Sequence, residues 1–576
     1  MPDEDKCKPD YWFLKRDDNV DITLRETGQL TTIPQSQLLG TRGNSWKYHN
    51  HQQSLVDTGW GLSDAENELI APYTSGNEVK DLVDGEEFMS DLHQAILDVK
   101  KGDFVLIAGW EFWQYRSLLG RVLSKNPHVD DKFLKGALAT AVQSGADVRV
   151  LAYANLIPGV GDRTKNFIEV VGALSNQRVS ACLDKTSDFA MSHHQKEVVI
   201  GRSNFKDSRA YVGGMDLAVD RWDGNNHSAM VKDAHGRNYG WHDIQVVVQG
   251  DAVLQLWANF AERWKDVFRR KNVLPCPVPA WDWKTWATRP KKGNKHVQVL
   301  RTVAPASAGN PMRFMTNGER SVLCGLKKAI EKAECYIYIE EQFLWDCELA
   351  DLIGTQMRKS NSKLRLIIVM TAGCELPWVL GDHAFHLRSE FFRKVMGVNT
   401  TAQIEFGARY RVYPYGVFQT NNALGKAVYV HSKLMIIDDR YAAIGSANVD
   451  ERSMHIETEL TVGIVDGDTA KSTLDTKATT VCQFAMKLRD RLWREHLGVK
   501  SDDATFPTDP VEVLNKRFPG IDRRDATATN AWPTTQYAAE QTQRHHLRCY
   551  VNLPGAYLDL TAGRRLLDRH ARKFHL

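Results

Sequence analysis

The sequence predicts an α/β protein built twice, with two duplicated α/β/α sandwich halves meeting around a pseudo-two-fold cleft. Three observations carry this. Residues 85–112 (GEEFMSDLHQAILDVKKGDFVLIAGWEF) and 318–344 (GERSVLCGLKKAIEKAECYIYIEEQFL) run in the same order: a Gly-Glu pair, an amphipathic helix with an Ala-Ile pair, a polar break, an apolar strand. Further apolar strands follow in both, at 147–156 and 363–373. Each half then carries a His-x-Lys dyad at the head of a β-type run, HHQKEVVIG with His194 and Lys196, and HSKLMIIDD with His431 and Lys433. Alternating helices and strands argue for layered sandwiches, and repeats this long are duplicated domains rather than a solenoid.

Residues 1–84 show little periodicity and are expected to form an arm or added layer. Residues 85–274 make the first half, 300–498 the second, and 275–299, rich in Pro, Trp and Lys, a linker. Residues 499–576 alternate polar stretches with short apolar pieces and are expected to pack as an extension on the second half. Within the linker, Trp281, Trp283 and Trp286 beside Lys291, Lys292 and Lys295 have the chemistry of a membrane-facing patch, but a packed linker is the expectation.

Of the 576 residues 43% are hydrophobic and 25% charged, as in soluble globular proteins. No window approaches the ~20 apolar residues that span a bilayer. The start, MPDEDKCKPDYWFLKRDD, has no apolar core of a signal peptide, so synthesis in the cytoplasm without a cleaved leader is expected. A net charge of +3 makes no general case for nucleic acid. Nine cysteines without CxxC or Cys/His spacing point to reduced thiols and to no metal site.

The dyads carry the chemistry. On a strand, residues i and i+2 project to one side, so each histidine shares a face with its lysine. An imidazole supplies a nucleophile or a proton, and an ammonium neutralises phosphoryl oxygens. Two copies supply an attacking group and an acid for the leaving group. A single such His or Lys is more often a satisfied or solvated residue, and duplication at matched places overturns that reading.

With the small-residue turn GSAN added, the chain resembles the phospholipase D superfamily, whose motif is HxKxxxxD followed by a GG- or GS-containing turn. The second copy matches in full: His431, Lys433, Asp438, Gly445, Ser446, Asn448, then Glu459. The first matches in part, with His194, Lys196 and Gly213-Gly214-Met215-Asp216, but Gly201 stands where the motif has Asp; Asp207 is the alternative after a register shift. The segments YIYIEEQFLW, HHQK, GGMDLAVDRWD and WHDIQVVVQG are similar to those of true phospholipases D.

The resemblance implies that His194 is the nucleophile and forms a phosphohistidine, and that His431 is the general acid and base. It implies that Lys196, Lys433 and Asn448 hold the non-bridging oxygens, with Asp216, Gly214, Ser446 and Gln342 facing the phosphate. Asp243 is expected behind His194 and Glu459 behind His431, each fixing a ring nitrogen; Asp438 is expected to be structural. Trp110, Trp222, Trp241 and Trp345 flank these segments and are candidates for the pocket wall. No cofactor or metal is implied.

The function implied is hydrolysis of glycerophospholipids to phosphatidic acid at a membrane surface. A phosphatidyl transferase of the cardiolipin synthase type and a nuclease-type phosphodiesterase are the alternatives, and a catalytically dead scaffold is disfavoured by the intact dyads. The compact form also resembles bacterial effectors injected into the periplasm of neighbouring cells, which implies a secretion machine and an immunity protein as partners, and no nucleic acid.

Overall fold

The computed structural model describes residues 2–14, 19–23, 30–34 and 547–549, and residues 73–518 with breaks at 114–116, 121–129, 156, 158, 175–177, 186–190, 219–220, 228–230, 233–237, 272–275, 280, 282–290, 305–318, 372–377 and 418–427. Counting the strands of the central sheet, the first half contributes β1 (Thr74–Val83), β2 (Phe104–Gly109), β3 (Asp147–Tyr153), β4 (Val179–Asp184), β5 (Glu197–Gly201), β6 (Arg209–Gly213) and β7 (Ile244–Gln249). The second contributes β8 (Lys295–Val303), β9 (Tyr336–Glu341), β10 (Arg365–Met370), β11 (Val412–Val417), β12 (Leu434–Ile437), β13 (Tyr441–Gly445) and β14 (Glu459–Asp466). Their spatial orders, β1-β7-β6-β5-β2-β3-β4 and β8-β14-β13-β12-β9-β10-β11, are the same walk taken twice.

The two walks join. β1 pairs antiparallel with β8 (Asn77 opposite Lys295, Thr74 opposite Val297), so one sheet runs through both halves. β1 therefore belongs to the first half's sheet, although the sequence reading leaves it in the arm; likewise β8 begins inside the expected linker. β2 (FVLIAG) and β9 (YIYIEE) are buried along their whole length, as central strands covered on both faces must be. Phe104, Leu106 and Ala108 face one layer while Val105 and Ile107 face the other.

Helices α1 (Asp84–Leu97), α2 (Leu134–Gln143) and α3 (Val160–Gly172) cover one face of the first half, and α4 (Ala252–Arg270) the other. In the second half, α5 (Ser321–Lys332), α6 (Cys347–Arg358) and α7 (Trp378–Met396) cover one face and α8 (Gln483–His496) the other. Residues 2–14 pack into the second half, with the Trp12 ring stacked 5.6 Å from Tyr441. Part of the C-terminal extension also packs there: Phe518 lies against Tyr415 and Trp493, and Leu547–Cys549 pairs with Tyr415–Val417. Trp281 is buried against Phe104 and Phe205, which makes this part of the linker core; Trp283 and Trp286 lie outside the described residues.

The missing motif Asp has a physical explanation. In the second half, the buried Asp438 carboxylate accepts the backbone N–H groups of Glu334, Cys335 and Tyr336, so it braces the entry to β9, as a structural residue should. In the first half the brace runs the other way. Asp103, at the entry to β2, accepts the N–H of Ser203 (2.7 Å) and pairs with Arg202 (3.2 Å) just beyond Gly201. Asp207 does not substitute, being largely exposed and paired with Lys292. A Cβ at Gly201 would lie 2.0 Å from the Phe104 ring. Restoring the motif by Gly201→Asp is thus expected to cost about 3 kcal/mol from overpacking and an unpaired buried carboxylate. An unchanged urea midpoint would refute this.

Candidate active site

Each dyad lies on a short irregular segment that runs beside a strand entry of the opposite half. The His194 N–H donates to the Thr458 carbonyl (2.9 Å), and His193 bridges Thr458 in parallel fashion. The His431 N–H donates to the His242 carbonyl (2.8 Å), where Gly240–His242 pairs in parallel with Val428–Val430. Thr458 and His242 immediately precede Glu459 and Asp243. The carboxylates are therefore exchanged between halves: His194 Nδ1 lies 2.9 Å from Glu459 Oε1, and His431 Nδ1 lies 2.6 Å from Asp243 Oδ2. This corrects the expected pairing, in which each half serves itself. The reason is topological, since each dyad segment is laid against the neighbouring half rather than its own.

An ionised carboxylate can only accept, so both rings carry their proton on Nδ1 and leave Nε2 with a lone pair. Burial, then the Lys196 ammonium, pushes His194 down to about 3. Burial and Lys433 hold His431 well below its ordinary value. Both rings are neutral near pH 7. Each lysine folds back toward its histidine: Lys196 Nζ donates to the His194 carbonyl (2.8 Å), and Lys433 Nζ to the His431 carbonyl. Both ammonium groups act on both carboxylate-imidazole pairs, which places the two dyads in one cleft.

The polar groups around the dyads divide their work differently from the expectation. Asp216 pairs with Lys196 (3.2 Å) and accepts the N–H of Trp110 and Glu111, so it neutralises the lysine. A Cβ at Gly214 would meet Asp243 Oδ1 at 2.3 Å, so the space this glycine clears is taken by the carboxylate and not by phosphate. The Ser446 hydroxyl donates to Glu459, and its carbonyl lies 3.1 Å from His194 Nδ1. Gln342 Oε1 accepts from Lys433 (2.8 Å), and Arg388 holds that loop through the Gln342 and Phe343 carbonyls. Asn448 is buried and its Oδ1, an acceptor, has no hydrogen-bond partner among the described residues, so it is the amide NH2 of this side chain that can donate to a phosphoryl oxygen. Glu341 accepts from Val449 N–H and holds the turn that carries Asn448.

Trp110 stands edge-on to His194 with Lys196 Nζ 5.8 Å from its ring centroid, and Trp241 packs 4.9 Å from His431 under Arg221. Trp345 stacks on Phe343 beside the turn at Val449. Trp222 lies against Gly120. Behind Asp243 the fold assembles a buried cluster, Asp84, His227, His242 and Glu495, whose ligand atoms lie within 4.8 Å of one another. These residues have the donor chemistry of a divalent cation site, which no sequence spacing disclosed because they come from four distant places. In the structure His242 is held between Asp84 and Glu340, each at 2.9 Å.

Burial raises Asp243 to about 6 and Glu459 to about 7. Activity that needs both ionised rises through pH 6–7. Stability follows a different course. Carboxylates with raised folded values, including Glu341 and Asp346 at about 7 and Glu197 at about 8, contribute stability that is lost as pH climbs through those values. The depressed histidines work oppositely, removing stability as pH falls below their ordinary 6.5. Above pH 6.5 the histidine contribution is complete and only the carboxylates still act, so the melting temperature is expected to fall from pH 6.5 to pH 8 while kcat/KM rises. A melting temperature still climbing at pH 8 would contradict the buried carboxylates.

A family model described as Phospholipase D matches residues 95–348 and 413–548. The chain belongs to the phospholipase D superfamily. A second phospholipase D-like model, described as cardiolipin synthase, matches residues 326–477. Phospholipase D1 of Schizosaccharomyces pombe is 26% identical over 546 residues, covering 79% of this chain and 37% of that protein. Phospholipase D alpha 4 of Arabidopsis thaliana is 26% identical over 497 residues, covering 71% of the chain and 63% of that protein. The chain therefore spans between about a third and two thirds of these relatives' length. Among solved structures, phosphatidylserine synthase of Haemophilus influenzae aligns with TM-score 0.42 and 13% identity, covering 67% of this chain and 82% of that one. Among the described residues of this phospholipase D-superfamily chain, no helix is long and apolar enough to cross a membrane.

Proposed function

We propose that the chain is a phospholipase D that hydrolyses the head-group phosphodiester of glycerophospholipids to phosphatidic acid. The observation that carries this reading is the pair of neutral imidazoles in one cleft, each oriented by a buried carboxylate and flanked by a lysine. His194 Nε2 attacks phosphorus in line. A bound phosphodiester anion favours a proton on the facing ring, and Asp243 compensates the charge on His431 as it protonates the departing alcohol. Lys196, Lys433 and Asn448 meet the non-bridging oxygens. Water, deprotonated by His431, then opens the phosphohistidine and releases His194.

The match to a cardiolipin synthase-type model supports a second reading, in which an alcohol other than water resolves the intermediate. Incubation with mixed glycerophospholipid vesicles, followed by mass spectrometry, tests both. Phosphatidic acid with free head group supports hydrolysis, and a new phosphatidyl ester of an added alcohol supports transfer. Untouched lipid alongside degraded DNA would replace both readings with a nuclease. The proposal that the enzyme is an effector restrained by an immunity protein rests on the sequence resemblance. Its test is growth of a bacterium expressing the chain with and without a periplasmic signal, and equal harmlessness in both compartments would remove it.

A further inference from the structure

We infer that Ser453 is a positioning residue for the first dyad, its hydroxyl fixing the charge and orientation of the Glu459 carboxylate that holds His194. This rests on the phosphodiesterase reading above. Ser453 sits on a one-turn helix, Glu451–His455, where Asp450 Oδ1 accepts its N–H at 2.7 Å and so sets its backbone. Its hydroxyl donates to Glu459 Oε1 at 2.8 Å, the same oxygen that accepts from His194 Nδ1 at 2.9 Å. Ser446 donates to the other oxygen. Asp243, one methylene shorter, is instead tied directly to the backbone by the Ile244 N–H at 2.8 Å. The longer Glu459 side chain has two hydroxyls where the shorter Asp243 has an amide, so the two dyads are held by different means.

The groups facing Glu459 are few. From the first half come His194 and Lys196, the latter paired with Asp216; from the second come Lys433, Arg452 and the hydroxyls of Ser446 and Ser453. Glu457 also faces His194, but its charge is held by Arg452 and by the Ser192 hydroxyl, and Ser453 Oγ lies 3.4 Å from it. A hydroxyl that donates to a carboxylate stabilises its ionised form. Removing it makes Glu459 bind a proton more readily, and makes the remaining anion a stronger partner for a protonated His194. Both effects move the pair's apparent titration upward.

The experiment compares wild type, Ser453→Ala and Ser453→Thr in hydrolysis of short-chain phosphatidylcholine from pH 5 to 9. In Ser453→Ala the acid limb of kcat/KM is expected to move up by about one pH unit, and Ser453→Thr, which keeps the hydroxyl, is expected to follow wild type. Superimposed wild-type and Ser453→Ala profiles, or a Thr variant that behaves like Ala, would overturn the assignment. Titration of the His194 ring by nitrogen-15 NMR reads the same pair without turnover. If no phosphodiester is cleaved by wild type, the catalytic reading fails by itself. Ser453 then stands or falls on whether the ring titration moves upward in Ser453→Ala.

Discussion

Alanine at either His194 or His431 is expected to lower head-group release on the order of 10^4-fold or more, because nucleophile and acid act as a unit. The two variants separate with a substrate whose leaving group departs as an anion without help. His431→Ala still has the nucleophile, the Glu459 acceptor and both lysines, so one equivalent of leaving group should appear and the phosphoryl group, still carrying its other ester, should remain on His194. His194→Ala should release nothing and retain nothing. Mass spectrometry of the trapped protein decides the assignment, and a phosphorylated His431 would reverse it.

Replacement of the carboxylates is expected to produce the same contrast crosswise. Glu459→Gln presents an amide to His194 Nδ1 and loses the demand for a proton there, so the ring is free to take the wrong tautomer; in hydrolases such a change costs roughly 10^4-fold. It should abolish covalent capture. Asp243→Asn should instead impair His431 by a similar factor while leaving capture of an activated substrate intact. Were each carboxylate serving its own half, the two phenotypes would be interchanged. Circular dichroism and melting curves of both variants establish that the comparison is made on folded protein.

The dyads, the duplicated strands and the structural role of Asp438 were legible because each is a local pattern or a repeat of one. The exchange of Asp243 and Glu459 was not, because it depends on how two similar halves are set against each other, which no spacing within either half encodes. Asp103 was hidden for another reason. It ties together the same two strand ends as the motif Asp does but from the opposing strand, and a pattern anchored on His194 looks only forward along the chain. The phosphate-facing roles expected of Gly214 and Ser446 failed by one layer, since both attend to the carboxylates behind the histidines. Asp84, His227, His242 and Glu495 meet only when α1, α8, the turn at Gly224–His227 and the strand entry at His242 pack together.

The reciprocal loan of carboxylates makes the chain, in effect, a tethered dimer whose subunits cannot work apart. A repeat expressed alone would possess an imidazole without its anchor and an anchor without its imidazole, so two copies would have to meet before either ring is held.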